Sequence, residues 1–419
     1  MNEELPENDH RRIGRDLNLF HMQEDAAGGV FWHENGYTIF RTIEEFIRSK
    51  LKINGYVEVK TPQVVNESLW QASGHWDNFH QHMYSVHGLV SHAEDDGKTA
   101  MMHMLKPVNC PCHVQIFNKR SVSYRHLPLR MAEFGCCHRN EPSGALHGIM
   151  RVRQFTQDDA HIFCTEEQIQ SETKTFVSLL LDVYKTFGFE DVIVALSTRP
   201  EKRAGTDAVW DHAEASLAEA VKLCGLEYIV QPGEGAFYGP KLEFALRDNK
   251  GRKWQCGTLQ LDFVLPKRLD AEYTAQDGSR LRPVMLHRAI LGSLERFIGI
   301  LLEHYEGKLP LWLAPVQVAI ILMPGVHFAY VDHIKKILEK DCKARYIIDD
   351  RDENMSQKIK EHSEMAVPLV VVVGKREEEQ MTFSVRHLGE TKAKIYHLRQ
   401  FRELFPAYVE EHGIYTEGE

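Results

Sequence analysis

The sequence predicts an α+β protein in which a domain built on an antiparallel-rich sheet is followed by a small α/β domain. In the middle third of the 419-residue chain, short strand-like runs are separated by helices without a regular strand–helix–strand order. From Trp312 onward, strands and helices alternate, which is typical of a parallel or mixed sheet. The two patterns meet at a turn with glycine and proline at residues 307–310, so we predict domains at residues 1–309 and 310–419.

Each element is predicted from the spacing of its apolar residues. The N-terminal part is predicted to form an amphipathic helix over residues 38–51 and a strand over residues 56–60, which Pro62 ends. The strands of the large sheet are predicted at residues 127–134, 154–158, 192–197, 241–245 and 255–263, with helices at residues 165–187, 208–224 and 288–305. In the C-terminal third, strands are predicted at residues 316–322, 344–348 and 369–373, and helices at residues 330–340 and 356–365.

Composition excludes several classes of protein. The chain is 43% hydrophobic and 26% charged, and no apolar run approaches the roughly 20 residues that span a bilayer. The acidic N-terminus lacks the features of a targeting peptide, so we expect a cytoplasmic protein with no membrane partner. Eight scattered cysteines argue against a disulfide framework. A net charge of -10 argues against non-specific coating of nucleic acid, although it is compatible with a local basic groove.

Several long sequence blocks carry a resemblance to a known family. They include SGHWDNF (residues 73–79), KPVNCPCH (106–113), LPLRMAEFGCCHRNEPSGALHG (127–148), MRVRQFTQDDAHIFC (150–164), EGAFYGPK (234–241), WQCGTLQLDF (254–263) and HRAILGSLERFIGIL (287–301). In these blocks the chain resembles the threonyl-tRNA synthetase family, a class II aminoacyl-tRNA synthetase family, from about residue 9 to about residue 408. The resemblance implies a class II catalytic domain followed by an anticodon-binding domain.

The function implied by the resemblance is that of a threonine-tRNA ligase. Such an enzyme activates L-threonine with ATP and transfers it from the adenylate to the 3'-terminal adenosine of tRNA(Thr). The helix, strand and Pro62 near the N-terminus resemble the class II motif that joins two subunits, so a homodimer is expected. An ordinary helix–strand unit with a proline stop explains that pattern equally well.

The resemblance places the ATP site on arginines, the side chains suited to bidentate phosphate contacts. Arg139 matches the arginine that bridges the α-phosphate and the amino-acid carboxylate, and Arg296 matches the arginine on the other side of the triphosphate. Positioned cations suit this reaction because charge builds up at the α-phosphate as the carboxylate attacks. The remaining ATP residues implied are Glu141 at the adenine amino group, Arg151 at the γ-phosphate, Phe155 stacked on adenine, and Gln255 and Thr258 in a supporting strand. Magnesium would bridge the phosphates.

The resemblance also implies one zinc ion per subunit, held by Cys110, His161 and His287. No spacing rule selects these residues, because they are far apart in the chain. Three protein ligands leave a tetrahedral zinc ion one position short. The resemblance implies that threonine binds through both its amino and hydroxyl groups, which gives a five-coordinate ion. Such a site rejects valine, which lacks the hydroxyl, whereas serine is rejected only by one methyl group. The threonine pocket implied also contains Gln157, Asp159, Tyr238 and Gln260.

Transfer to tRNA is expected to use His75, which matches a histidine that helps to deprotonate the terminal ribose. Glu377 and Arg386 match anticodon contacts. Three residues depart from the family pattern: Cys112 and Val108 near the metal, where glycine and methionine are usual, and Asp352, where asparagine is expected. Cys112 could compete for zinc or oxidise, or it could serve as a small buried apolar residue.

The departures leave two other functions open. One is a paralogue that adenylates threonine for another acceptor or for inhibitor resistance, and the other is a non-catalytic regulatory paralogue. Usual members of the family carry additional N-terminal domains, one of which removes mischarged serine. The chain is therefore expected to be either a natural editing-free form or a trimmed part of a longer protein, and some formation of Ser-tRNA is expected.

Overall fold

The computed structural model describes residues 5–87 and 102–410. Packing divides the chain into two compact units. Among the described residues, the large unit contains those of Met22–Val30 and Glu44–Phe297, and the small unit contains those of Met1–His21, Phe31–Ile43 and Ile298–Glu419. The predicted domain boundary between residues 309 and 310 stays a prediction.

Helices and strands both occur throughout the described residues. In chain order, the helices are α1 (His10–Asp16), α2 (Glu34–Ile53), α3 (Glu67–Ser73), α4 (His75–Phe79), α5 (Cys110–Asn118), α6 (Ile169–Thr186), α7 (Asp207–Leu223), α8 (Leu265–Arg268), α9 (Leu294–His304), α10 (Phe328–Lys336), α11 (Met355–Glu364), α12 (Lys375–Gln380) and α13 (Leu398–Glu410). The strands are β1 (Phe20–His21), β2 (Phe31–Trp32), β3 (Val57–Glu58), β4 (Val64–Asn66), β5 (Tyr84–Val86), β6 (His103–Leu105), β7 (Leu129–His138), β8 (Gln154–Cys164), β9 (Val192–Ser197), β10 (Ile229–Gln231), β11 (Lys241–Arg247), β12 (Lys253–Asp262), β13 (Tyr273–Thr274), β14 (Arg280–Leu281), β15 (Val284–Ser293), β16 (Val318–Leu322), β17 (Tyr346–Asp349), β18 (Leu369–Val373), β19 (Thr382–His387) and β20 (Lys394–His397). Among the described helices, none combines the length and apolar character that crossing a membrane requires.

An antiparallel-rich sheet organises the large unit, as the sequence predicted. Its strand order among the described residues is β10-β9-β11-β12-β15-β8-β7-β3. The pairs at the two ends of the sheet, β10 with β9 and β3 with β7, are parallel, and the pairs between them are antiparallel. Most residues of the long central strands β7, β8 and β15 are buried, including the charged residues Glu133, Asp158 and Asp159.

Helix α5 packs against the central strands and positions the start of the site. Its Phe117 stacks on Phe163 of β8 with ring centroids 4.4 Å apart, and Val114 and Met131 belong to the same buried core. Pro111 lies in the first turn of α5, where its missing N–H costs no helical hydrogen bond. The first residue of this helix is therefore held firmly against the sheet.

The predicted helix over residues 288–305 is wrong in its first part. Residues 288–293 continue strand β15, and α9 begins at Leu294. This segment forms strand pairs with β8 and β12 and no helix. Gly292 adopts a φ of +82° at the bend into α9. Apolar spacing cannot separate a wholly buried strand from a buried helix, and in this segment cross-strand pairing decided the outcome.

The small unit contains a five-stranded sheet in the order β17-β16-β18-β19-β20. Strand β16 pairs in parallel with both β17 and β18, whereas β19 and β20 add antiparallel strands at one side. The apolar run predicted as a strand at residues 369–373 is β18, and its Val371 and Val373 are fully buried. Together with the antiparallel-rich sheet, this mixed sheet confirms the predicted fold class.

Candidate active site and metal centre

One face of the large sheet carries most of the predicted site residues. His161 on β8 lies directly opposite His287 on β15, and His287 lies opposite Gln260 on β12. Directly opposite residues of antiparallel strands project from the same face, as do residues two positions apart on one strand. Gln157 and Asp159 therefore share the face of His161.

Cys110, His161 and His287 meet beside this face. Each offers one ligand atom, and these atoms all lie within 4.8 Å of one another. All three side chains are buried. A thiol with two imidazoles is a donor set that suits zinc, and three protein ligands leave a coordination position open. The residues thus fit the metal that the resemblance implies.

Hydrogen bonds orient both imidazoles of this cluster. His161 uses Nδ1 for a 2.8 Å hydrogen bond with Nδ1 of His113, and His287 uses Nε2 for a 2.9 Å bond with Oδ2 of Asp262. Each ring therefore keeps its other nitrogen for a metal. Partners of this kind fix the orientation of metal-binding histidines.

The electrostatics of the cluster favour uncharged ligands when no cation is present. Burial, with the nearby carboxylates Asp159 and Asp262, raises the pKa of the Cys110 thiol well above its usual range. Burial also lowers the pKa of His161 well below its usual range. A bound divalent cation favours the thiolate form of Cys110 and so lowers the pKa of the thiol. Metal binding at the cluster is therefore expected to release the thiol proton.

Asp159 is oriented towards the cluster by a neighbouring amide. Asn109 donates from Nδ2 to Oδ2 of Asp159 over 3.0 Å, and His161 Nε2 lies 3.9 Å from the other carboxylate oxygen. Gly135 makes room for this amide, because a Cβ atom at that position would lie 2.3 Å from Asn109 Nδ2. The glycine on β7 is thus needed for close packing at the site.

The Gly135→Ala substitution is expected to destabilise the fold by about 1 to 3 kcal/mol, because the added methyl group overpacks against Asn109. The measurement is the free energy of unfolding from denaturant titration. Gly144→Ala is the matched control, since a Cβ atom there meets nothing within 4 Å. Equal stability of the two variants would show that the site has room for the extra methyl group.

His75 lies against the thiol of the cluster. Its Nε2 is 3.6 Å from Cys110 Sγ, and its Nδ1 is 2.9 Å from Ser73 Oγ. Burial, and to a smaller extent the neighbouring side chains of His287, Arg268 and Arg139, lower the pKa of His75 to about 3. The imidazole is therefore neutral near pH 7, and burial disfavours its protonated form. Its predicted role in transfer stays a prediction.

Tyr238 and the two glutamines border the metal cluster. The Tyr238 hydroxyl donates a hydrogen bond to Gln260 Oε1, and the Tyr238 ring stacks on His287 with centroids 4.8 Å apart. Gln157 and Gln260 also line the adjoining cavity. Two of the four predicted threonine-binding residues thus line the cavity, and the other two, Asp159 and Tyr238, lie beside the histidines of the metal cluster.

The adjoining cavity has a volume of about 710 Å³. The seven residues predicted for ATP line it together: Arg139, Glu141, Arg151, Phe155, Gln255, Thr258 and Arg296. Backbone segments of β15 complete the wall, including the bend at Gly292. The structure thus assembles a pocket with three arginines from parts of the chain that are distant in sequence.

Two of these arginines already have defined partners. The Arg139 guanidinium lies 5.0 Å from the centroid of the Phe155 ring, and its Nε donates to Pro107 O over 3.3 Å. Arg151 donates from Nη2 and Nε to the same Glu141 oxygen over 2.8 and 3.1 Å. Glu141 Oε1 and Arg151 Nη1 take no part in these two bonds.

The predicted anticodon residues belong to the small unit. Glu377 lies in α12, beyond the end of β18, and its Oε2 accepts from the backbone N–H of Gly374 over 3.0 Å. Arg386 on β19 lies opposite Val370, near the start of β18. The two residues are thus separated by most of the length of that strand. Asp352 follows the end of β17.

Sequence reasoning missed the residues that hold the ligands in place. His113 had a detectable signal, because it lies three positions after Cys110 and so on the same side of a helix. Glu133 also had a detectable signal, because it is a charged residue between apolar residues of a strand. Asn109 and Asp262 had no comparable signal, since only the folded chain brings them to Asp159 and His287.

Two protein-family models match two different parts of the chain. The class II tRNA synthetase core domain (G, H, P, S and T) matches residues 92–305, and an anticodon-binding domain matches residues 317–407. These matches cover the described cavity and the five-stranded sheet.

Individual relatives are similar over nearly the whole chain. A threonine--tRNA ligase of Paramagnetospirillum magneticum is 56% identical over 96% of the chain and 61% of the relative, and one of Rickettsia bellii is 55% identical over 96% and 62%. The chain therefore spans about three fifths of the length of these curated relatives. A crystal structure of the RNA binding domain of threonyl-tRNA synthetase from Cryptosporidium parvum Iowa II superposes with a TM-score of 0.89, at 36% identity, over 95% of the chain and 98% of that structure.

Proposed function

Because the chain belongs to the threonyl-tRNA synthetase family, within class II of the aminoacyl-tRNA synthetases, we propose that its protein is an ATP-dependent threonine-tRNA ligase. It activates L-threonine as threonyl-adenylate at a zinc-containing site and transfers it to the 3'-terminal adenosine of tRNA(Thr). One observation carries the proposal: Cys110, His161 and His287 converge within 4.8 Å on the sheet face that continues into the arginine-lined cavity.

The cavity supports the proposed activation of the carboxylate. Arg139 and Arg296 line it from different segments, so they can hold the triphosphate between them. Adenylation needs fixed positive charge where charge develops at the α-phosphate, and it needs no protein nucleophile. Magnesium bound with ATP would supply further positive charge at the phosphates. The role of the protein is therefore to position the two reactants.

The metal cluster supports selection of threonine. A zinc ion held by the thiol and two imidazoles would supply coordination positions that require both an amino group and a hydroxyl group. Asp159, whose Oδ1 lies 3.9 Å from His161 Nε2, would accept the hydroxyl proton of the substrate. Valine lacks the hydroxyl group, so its rejection is expected to be strong, whereas serine lacks only a methyl group worth about 1 to 3 kcal/mol.

The small unit supports a tRNA partner. Strands β16, β17 and β18 are parallel. The chain passes from β16 to β17 on one side, and then from β17 to β18 on the other side of β16. Ligands of such sheets bind beyond the carboxyl ends of the strands, where this order reverses. Asp352 and Glu377 follow those ends, so we place anticodon contacts there. Arg386 would contact the loop from the other end of β18.

A homodimer is proposed through α2 and β3. Ile53 at the end of α2 is 82% exposed, and Val57 on β3 is 43% exposed. In the described part of the chain, β3 is the last strand on its side of the large sheet. An exposed apolar edge of this kind is suited to pairing with a second copy.

The proposed function is tested by zinc analysis of the purified protein together with amino-acid-dependent pyrophosphate exchange. We expect about one zinc per chain and exchange with threonine. With serine, kcat/KM is expected to fall by about 10 to 200-fold, and with valine by about 10⁴-fold or more. Exchange that prefers valine, or that proceeds without bound zinc, would overturn the substrate and metal assignments. Exchange with threonine but no charging of tRNA(Thr) would point to another acceptor.

A further inference from the structure

A chain of hydrogen bonds runs from the metal cluster into the interior. His161 Nδ1 lies 2.8 Å from His113 Nδ1, and His113 Nε2 lies 3.1 Å from Glu133 Oε2. All three side chains are at most 2% exposed. A buried glutamate is therefore connected to the metal cluster through two imidazoles.

Glu133 is held as a carboxylate by donors on both oxygens. Oε1 accepts from the backbone N–H of Thr61 over 3.0 Å and from Lys106 Nζ over 3.1 Å, and Oε2 accepts from Thr61 Oγ1 over 2.8 Å. Burial opposes its ionisation, but these bonds, the bond from His113 and the charge of Lys106 outweigh burial and lower the pKa of Glu133 to about 2. An ionised carboxylate can only accept hydrogen bonds.

The direction of each hydrogen bond then follows from Glu133. Because the carboxylate accepts, His113 donates from Nε2, and the tautomer that carries its single ring proton on Nε2 presents Nδ1 as an acceptor. His161 must consequently donate from its Nδ1, which leaves the lone pair on its Nε2. That atom is 3.9 Å from Asp159, at the substrate side of the cluster.

We propose that Glu133 and His113 are positioning residues that hold His161 in the tautomer required of a metal ligand. The tautomer of His287 is held directly by a carboxylate, because Asp262 accepts a hydrogen bond from its Nε2 over 2.9 Å. A carboxylate thus orients each histidine ligand. Asp262 bonds directly to His287, whereas Glu133 acts on His161 through His113. Partners of this type typically change metal affinity by 10 to 100-fold when they are replaced.

The Glu133→Gln substitution tests this inference, which rests on the proposed metal site. The glutamine oxygen is expected to stay at the Oε1 position, where Thr61 N–H and Lys106 both donate. Its amide N–H₂ would then donate to Nε2 of His113. The proton of His113 would move to Nδ1, and His161 would have to accept at its own Nδ1. We expect zinc affinity, measured by competition with a chelator, to fall by about 10 to 100-fold.

The matched control is Glu172→Gln. Glu172 is also buried, and it receives two 2.6 Å hydrogen bonds from Arg130. This variant loses a comparable buried ion pair away from the metal cluster, so its zinc affinity is expected to match that of the unaltered protein. Unchanged affinity in Glu133→Gln, or an equal loss in both variants, would overturn the inference. Absence of zinc from the unaltered protein would instead overturn the proposed metal site.

A measurement on the unaltered protein keeps the inference testable if Glu133→Gln does not fold. Nitrogen-15 chemical shifts of the histidine rings distinguish the two neutral tautomers. In the zinc-loaded protein we expect His113 to carry its proton on Nε2 and His161 to carry its proton on Nδ1. A proton on His113 Nδ1 would contradict the proposed order of hydrogen bonds.

Discussion

Replacing Cys110 by alanine is expected to remove bound zinc and to lower threonine-dependent pyrophosphate exchange by about a thousandfold or more. Only His161 and His287 would remain as protein ligands, and two imidazoles are fewer than the three protein ligands of a typical catalytic zinc site. Without the cation, the substrate hydroxyl loses the partner proposed to select it. The measurements are metal content and exchange kinetics on the same preparation.

Cys112→Ala is the matched control for this substitution. Cys112 is also buried and lies two positions further along α5, but it is not a member of the ligand cluster. The variant is expected to retain zinc and exchange activity. Loss of zinc in Cys112→Ala with retention in Cys110→Ala would mean that the unusual thiol, and not Cys110, is the ligand. The pair therefore also tests the departure from the family pattern.

Replacing Arg139 by glutamine is expected to lower kcat/KM for threonine activation by about 10² to 10³-fold. The guanidinium is proposed to stabilise charge at the α-phosphate, and loss of one such donor typically has an effect of that size. Arg139→Lys keeps the charge but loses the planar fork, so its activity is expected to fall between those of the glutamine variant and the unaltered protein. Steady-state exchange kinetics with varied ATP and threonine provide the measurement.

Arg125→Gln is the matched control for Arg139. Both guanidiniums lie over an aromatic ring, Arg139 at 5.0 Å from the Phe155 centroid and Arg125 at 5.6 Å from the Tyr124 centroid. Arg125 does not line the cavity, so its replacement is expected to leave exchange unchanged. Full activity of Arg139→Gln would place the transition-state contact on another residue.

Local patterns were sufficient for much of the fold. The continuous apolar run at residues 369–373 predicts a buried strand, and the structure has β18 at Leu369–Val373. The predicted strand at residues 192–197 is likewise β9, Val192–Ser197. These predictions succeed because alternation and buried runs depend on neighbouring residues alone. The boundary at residues 288–293 failed because pairing with two distant strands determined it.

The candidate site depended on a different kind of information. The residues Arg139, Cys110 and His161 could be selected only through the order of long sequence blocks, since a single arginine, cysteine or histidine carries no specific signal. Their partners His113 and Glu133 were not identified, although both lie within those blocks. A hydrogen-bond direction is a property of contacts, and contacts between α5, β7 and β8 exist only after folding.

By itself, the sequence determined the fold class, the order of most elements and the residues worth testing, because these follow from local spacing and from blocks of ordered identity. The tertiary structure alone decided that Cys110, His161 and His287 share one space, that Glu141 pairs with Arg151, and that Glu133 reaches the cluster through His113. The physical reason is that strand register and burial bring together side chains from distant segments. Their distances, hydrogen bonds and charges do not exist in the unfolded chain.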